Sequence, residues 1–276
     1  MFPVLLKLGP ITIYSFGAMM ALAFLAAANV LARELGRRGY DPEFASKFVV
    51  WAAVGGLVGA RIWSIFNDWH EFLQHPLHIL LSGSGLVYYG GLAGGFVAVS
   101  IAIRRYGLPW LTVVDCIAPG LPLAHGIGRI GCELAGDGDW GTPSTLPWAH
   151  AYPNAIIGWK DWVAANGLPP DVTVHPTPLY EMLMYFTIFA ILWSIRKRPL
   201  APGSLLWLYF ILGGIARFAV EFVRVEPVVM GLTEAQWFSL LLIAIGSWRL
   251  VVSNGAKAAV APTRTRQAGS ARAAKS

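Results

Sequence analysis

Four stretches of the chain set ionisable side chains into strongly apolar surroundings. Arg61 stands alone in the run 48–66. Residues 125–141 read His-Gly-Ile-Gly-Arg-Ile-Gly-Cys-Glu-Leu-Ala-Gly-Asp-Gly-Asp-Trp-Gly. Residues 175–181 read His-Pro-Thr-Pro-Leu-Tyr-Glu, and residues 213–224 read Gly-Gly-Ile-Ala-Arg-Phe-Ala-Val-Glu-Phe-Val-Arg. Arg129, Arg217 and Arg224 each carry a planar fork of donors that matches phosphate oxygens. Arg217 and Glu221 stand four residues apart, so they can pair on one helix face. His125 and His175 are candidate proton acceptors, since an imidazole is the side chain suited to take a proton at neutral pH, although a histidine near a helix end is more often a structural hydrogen-bonder. Asp137-Gly138-Asp139, with Glu133 nearby, is half of a calcium loop without the closing glutamate, and reads better as an acidic, glycine-rich turn. Cys132 has no obvious base beside it and is not read as an internal nucleophile. No metal and no cofactor is expected.

The elements that position these residues follow from composition. Of 276 residues, 56% are apolar and 13% are Asp, Glu, Lys or Arg, with a mean hydropathy of +0.56. An ordinary soluble domain is about 25% charged. So few charges cannot cover a water-exposed surface of this size, which argues against a soluble enzyme and excludes a disordered chain. Two cysteines, Cys116 and Cys132, make no disulfide framework and no CxxC metal knuckle. The expected class is all-α, a polytopic integral membrane protein.

A membrane-crossing helix needs about 20 apolar residues. Seven runs qualify: 11–31, 48–66, 86–103, 111–130, 177–195, 204–223 and 235–252. The fourth holds Asp115, Pro119, Pro122 and His125, so a kink or break is expected there. The net charge of +6 is a topology signal rather than a sign of nucleic acid. Arg33, Arg37, Arg38 and Lys47 follow the first run, Arg104 and Arg105 the third, Arg196, Lys197 and Arg198 the fifth. The end of the chain carries Arg249, Lys257, Arg264, Arg266, Arg272 and Lys275. Residues 67–85 have no Lys or Arg, and 131–176 have only Lys160. This predicts an N-terminus outside and a C-terminus in the cytoplasm.

The expected organisation is a membrane domain over 1–252, with an outer lobe at about 131–176, and a disordered basic cytoplasmic tail over 253–276. Trp140, Trp148, Trp159 and Trp162 suggest that the lobe lies against the outer leaflet. Gly55, Gly56, Gly59, Gly90, Gly91, Gly94 and Gly95 form small-residue faces suited to close helix packing, with a lipid-entry groove as the alternative. The topology gathers Arg129, Arg217 and Arg224 at the outer face. A phospholipid headgroup is the ligand this suggests; the alternative is a set of structural interhelical salt bridges. A channel or transporter is the rival class, but it predicts charges at mid-bilayer and paired internal repeats.

Gly128-Arg129-Ile130-Gly131 before the acidic turn, His-Pro-x-x-Leu-Tyr-Glu at 175–181 and Gly-x-x-Arg-Phe-x-x-Glu-Phe-x-Arg at 214–224 resemble the phosphatidylglycerol–prolipoprotein diacylglyceryl transferase family. Gly9-Pro10 to Gly17 and Tyr88-Tyr89-Gly90-Gly91 also match it. The resemblance implies transfer of a diacylglyceryl group from phosphatidylglycerol to the lipobox cysteine of a prolipoprotein signal peptide, with glycerol 1-phosphate released and a thioether formed. It implies a bacterial cytoplasmic (inner) membrane protein working in the lipid bilayer, with no nucleic-acid partner. It makes Arg129 and Arg217 the essential arginines, and Glu221, Arg224, Tyr180, Glu181 and Gly141 further phospholipid-binding residues. The chain departs from the pattern at several places. Cys132 and Glu133 replace an Asn-Phe pair, the stretch to Gly141 is one residue longer, Phe16 and Gly213 each replace a Tyr, and Tyr89 replaces a His. The thiol-activating base therefore stays open among His125, His175 and Tyr89. An inactive lipid-binding homologue is the remaining alternative.

Overall fold

A hairpin precedes the first membrane helix. In the computed structural model, which describes residues 1–76 and 87–260, strand β1 (Val4–Leu8) pairs antiparallel with β2 (Ile11–Tyr14), Leu8 opposite Ile11. Gly9 takes φ +60, a left-handed turn that glycine adopts without strain, and Pro10 cannot continue a ladder or a helix. The β-branched Ile11, Thr12 and Ile13 then favour a strand. This corrects the expected start of the first span. Helix α1 runs from Ser15 to Arg37, and Ser15 donates both its backbone N–H (2.9 Å) and its hydroxyl (3.2 Å) to the Pro3 carbonyl.

The other helices among the described residues are α2 (Phe44–Asn67), α3 (Trp69–Gln74), α4 (Tyr88–Arg105), α5 (Trp110–Ile117), α6 (Gly120–Ala135), α7 (Trp159–Ala165), α8 (Thr177–Ile195), α9 (Ser204–Val220) and α10 (Glu234–Val260). A 3-10 turn (Glu221–Val223) and a short hairpin, β3 (Val228–Val229) with β4 (Leu232–Thr233), join α9 to α10. Among the described residues, six helices are long and apolar enough to cross a membrane: α1, α2, α5 with α6, α8, α9 with its 3-10 turn, and α10. The expected third span is α4, which four glycines and Arg104-Arg105 make less apolar than the rest. Its first expected residue, Leu86, lies outside the described residues. Many spanning residues, such as Leu25, Leu57, Phe66 and Val251, present apolar side chains outward, as a lipid solvent requires.

The break expected in the fourth span is present: α5 ends at Ile117 and α6 begins at Gly120, with Ala118-Pro119 between them. Helix α6 continues five residues past the expected end at Ile130. Neither Gly131 nor Cys132 stops it; it ends where Gly136, at φ +64, donates to the Cys132 carbonyl (2.9 Å). Cys132 and Glu133 are thus helical, and the lobe begins near Gly136. Helix α10 likewise passes Val252 and reaches Val260. The remainder of the expected tail, 261–276, lies outside the described residues.

The pairing of α2 with α4 is the most extensive between helices. A side chain on Gly59 would come within 2.7 Å of the Gly94 Cα, one on Gly94 within 2.7 Å of the Gly59 Cα, and one on Gly90 within 2.6 Å of the Gly59 carbonyl. Backbone rests on backbone, so the packing reading of these glycines holds. Gly94→Val is expected to push the helices apart and cost about 1–3 kcal/mol, as overpacking does. Thermal melting in detergent checks this; an unchanged midpoint would mean the crossing is not tight.

The lobe has its own small core. Trp140, Tyr152, Trp159, Val163, Val172 and Val174 are buried together, with Trp162 against them. The Trp140 ring lies 5.1 Å from Trp159 and 5.5 Å from Trp162. Three of the four tryptophans expected at the interface therefore pack on one another instead, and only Trp148 is mostly exposed. With isolated β-bridges at Pro143–Val174 and His150–Val174, the lobe packs around its largest side chains.

Candidate active site

Helix α6 packs against α1 and α8, and α8 against α9. The end of α6, the start of α8 and the end of α9 meet, because the chain reverses direction between these spans. Arg129, Glu181, Arg217 and Arg224 come together there.

Glu181 is the centre. It is 1% exposed. Its carboxylate lies 2.6 Å from Arg129 Nε, 2.7 Å from Arg217 Nη1 and 3.6 Å from Arg224 Nη1. A buried carboxylate is stable only with such partners, and three guanidiniums of like sign can share a site only around an anion. Arg217 Nη2 also meets Glu221 Oε2 at 2.9 Å, the expected i,i+4 pair. That contact is off the direction of a hydrogen bond: both Glu221 oxygens are buried without one among the described residues, and Oε2 has Arg217 and Arg224 as ion-pair neighbours.

Asp139 closes the other side. One oxygen pairs with Arg129 Nη1, and the other accepts from Arg224 Nη2 at 2.7 Å. Its backbone carbonyl accepts from the Thr177 hydroxyl. Burial raises the Asp139 pKa, but Arg129 and then Arg224 outweigh burial and hold it at about 2. The stability this lends is fully present above the unfolded aspartate value near 4. It is lost only as pH falls through about 2, so the bridge is intact at any physiological pH. Asp139 also lies with Cys132 and Asp137 in a group spanning 4.8 Å.

Gly141 is needed for space. It donates to the His175 carbonyl at 2.8 Å and forms a bridge to Arg224, while Thr142 donates to the Val223 carbonyl at 2.8 Å. A Cβ on Gly141 would meet Thr177 Cγ2 at 2.8 Å and His175 Cβ at 2.9 Å. The lobe is thereby pinned to the start of α8 and the end of α9, which fixes Arg224 beside Asp139.

The two histidines differ. His125 Nε2 sits 3.3 Å from Arg129 Nε and 3.4 Å from Glu181 Oε2, and its ring stacks on Tyr185 at 3.7 Å. It belongs to the salt-bridge cluster. His175 Nδ1 is 3.1 Å from the Tyr180 hydroxyl, which accepts the Trp148 indole N–H at 2.6 Å. Tyr89, on α4, packs edge-to-face on Phe238 of α10 at 5.7 Å.

The structure thus brings Arg129, Arg217, Arg224, Glu181, Glu221 and His125 into one cluster, with Gly141, His175 and Tyr180 bordering it. Sequence reading missed the bridging role of Asp139, the Thr177 bond beneath it and the Tyr185 ring under His125. The sequence position of Asp139, in a turn ten residues beyond Arg129, carried no periodic signal. It also missed a polar tie between α6 and the lobe, where Glu133 accepts from Tyr152 (2.8 Å) and meets His150 Nε2 at 2.9 Å.

Residues 3–252 match the family described as prolipoprotein diacylglyceryl transferase. The chain is 33% identical over 247 residues to a phosphatidylglycerol–prolipoprotein diacylglyceryl transferase of Clostridium tetani, covering 88% of this chain and 94% of that one. It is 34% identical over 251 residues to the protein of the same name from Bordetella avium, covering 86% and 89%. A third, from Nitratidesulfovibrio vulgaris, is 34% identical over 272 residues, covering 92% and 94%.

Proposed function

This chain belongs to the prolipoprotein diacylglyceryl transferase family, and on that premise we propose how its outer cluster carries out the transfer. The chain is a multi-pass inner-membrane transferase that moves the diacylglyceryl group of phosphatidylglycerol to a prolipoprotein. The acceptor is the thiol of a lipobox cysteine in the signal peptide. Its sulfur attacks the glycerol carbon that bears the phosphate; the C–S bond forms as the C–O bond breaks, and glycerol 1-phosphate leaves with the electron pair. The thiol proton passes to a base.

The arginine cluster around Glu181 is the observation that carries this reading. Leaving-group departure builds negative charge on a phosphate ester, and fixed donors in a dry site stabilise it without reorganising. Arg129 and Arg217 hold the phosphate. Their bonds to protein run through Nε and Nη1 of Arg129 and Nη1 and Nη2 of Arg217, and neither side chain is fully buried. Arg224 is more deeply buried and pairs with Asp139, so it positions the others. Glu181 and Glu221 hold the forks in place, Gly141 sets the backbone approach, and Tyr180 orients His175. The test is to express the chain in cells depleted of their own transferase and weigh a model lipoprotein. A mass gain of one diacylglyceryl group is expected; its absence in a folded, membrane-inserted chain overturns the assignment.

His175 is the base. His125 keeps its near nitrogen inside the salt bridges, whereas His175 faces a neutral hydroxyl that can relay a proton. Loss of a general base costs about 10²–10⁴-fold in rate. His175→Gln should show that loss, with partial rescue above the thiol pKa, where thiolate forms unaided. Tyr89→Phe should be mild. A near-wild-type His175→Gln across pH, with Tyr89→Phe inactive, would move the base to α4.

The orientation is N-terminus outside and C-terminus cytoplasmic, with α4 as a seventh span, which places the cluster at the outer face. Reporter fusions after Lys47, Arg105, Arg198 or Ser276 should read cytoplasmic, and one near Lys160 periplasmic. A cytoplasmic reading at Lys160 contradicts this orientation.

A further inference from the structure

A second basic site lies at the opposite ends of the same helices. From Glu181 to Arg196 is fifteen residues of helix, about 22 Å at 1.5 Å each. There a cavity of about 130 Å³ opens between the end of α1, helix α5, the end of α8 and the start of α9. Arg37, Arg38, Arg196 and Arg198 line it, with Asp115.

The local carboxylates are already occupied. Glu34, 1% exposed, holds Arg37 Nη2 at 2.5 Å and Arg196 Nε at 3.0 Å. Asp115 accepts the backbone N–H groups of Gly203 (2.8 Å), Leu205 (2.9 Å) and Leu206 (3.2 Å), capping α9. Arg38 Nη1 is 3.9 Å from Asp115 and donates to the Thr112 carbonyl at 3.3 Å. Arg198 is exposed; its backbone N–H donates to the Ile195 carbonyl at 2.9 Å, and among the described residues its guanidinium makes no hydrogen bond or ion pair. Four guanidiniums therefore face two carboxylates across one opening. The positive end of the α9 dipole adds to the excess. Such an excess repels itself unless an anion enters, and the Arg198 fork with the Arg38 donors other than Nη1 suits a tetrahedral phosphate. The volume takes a phosphate but not acyl chains, which would lie outside along the helices. Basic pockets between membrane helices on the cytoplasmic side recognise anionic headgroups in this way.

We propose that this cavity binds a phosphate group at the membrane face opposite the transferase site, from an anionic phospholipid of that leaflet or a phosphate ester in solution. The site is separate from the chemistry of the arginine cluster and does not depend on it. Donors of Arg38 and Arg198 replace water on the phosphate, Arg37 and Arg196 add their charge beside it, and the ligand joins α1 to the α8–α9 turn.

The test uses the full chain in phosphatidylcholine nanodiscs with and without phosphatidic acid, read by native mass spectrometry as lipids retained per chain. Arg38→Gln/Arg198→Gln should lose one retained phosphatidic acid, or bind it about tenfold or more weakly, as expected for losing a charge-assisted hydrogen bond. Its transfer activity should match wild type. In a second arm, inorganic phosphate is titrated into detergent-solubilised protein and the melting midpoint followed. A rise in wild type that the double variant lacks, without lipid loss, names solution phosphate as the source and supports the site. Equal lipid retention and an equal phosphate response in the double variant overturn it. Should the glutamines reduce helical content, Arg38→Lys/Arg198→Lys decides. Weakened binding in that folded variant supports a fork-built site, and undiminished binding overturns it.

Discussion

Arg217→Lys is expected to lose transfer almost as completely as Arg217→Ala. Arg217 reaches Glu181 with Nη1 (2.7 Å) and Glu221 with Nη2 (2.9 Å), so both terminal nitrogens are fixed by carboxylates and the remaining edge is aimed by them. A lysine ammonium keeps the charge as a single point. It can satisfy one carboxylate but cannot hold two and still present a planar edge to phosphate. Removing one donor that meets developing charge costs about 10²–10³-fold in kcat. The loss should fall on kcat more than on KM, because the interaction strengthens as the leaving group gains charge. Arg129→Lys should behave alike, since Arg129 is divided between Glu181 and Asp139. Steady-state transfer to a lipobox peptide in mixed micelles measures both. Full activity in both lysine variants would make these arginines structural.

Glu181→Gln should be the most destabilising single change in the cluster. The substitution keeps shape and removes the charge that three guanidiniums share. Breaking a buried ion pair by deleting one partner costs about 3–5 kcal/mol, because the stranded charges stay buried. Asp139 still compensates Arg129 and Arg224, and Glu221 still compensates Arg217, so the loss should stop short of unfolding. Thermal melting in detergent should show the drop. Activity should fall by about 10²-fold through misplaced arginines, with KM unchanged or lower, since an anionic competitor for the phosphate has gone. A variant that melts with wild type and transfers at its rate would remove Glu181 from the centre of the site.

Composition and charge were enough to read a helical membrane protein, and the reason is physical. A bilayer admits few polar groups, so runs of apolar residues and the lysines and arginines flanking them are written directly into the chain. The break near Pro119 and the fifth span, Thr177–Ile195, were legible for the same reason. So was the i,i+4 pair of Arg217 and Glu221, because one helix turn sets it. The initial hairpin was not legible: Ile11 to Tyr14 are as apolar as a helix start, and only pairing with Val4–Leu8 makes them a strand. The lobe tryptophans misled because an amphipathic ring suits an interface and a small core equally well, and only tertiary contact chooses. Asp139 looked like part of an acidic turn; its partners Arg129 and Arg224 are 10 and 85 residues away, and folding alone puts them on either side of it. Glu181 was visible as a motif residue, but not as the carboxylate that three helix ends share. Residue type and local spacing are properties of the chain, whereas a charge cluster assembled from three separate spans exists only once those spans are packed.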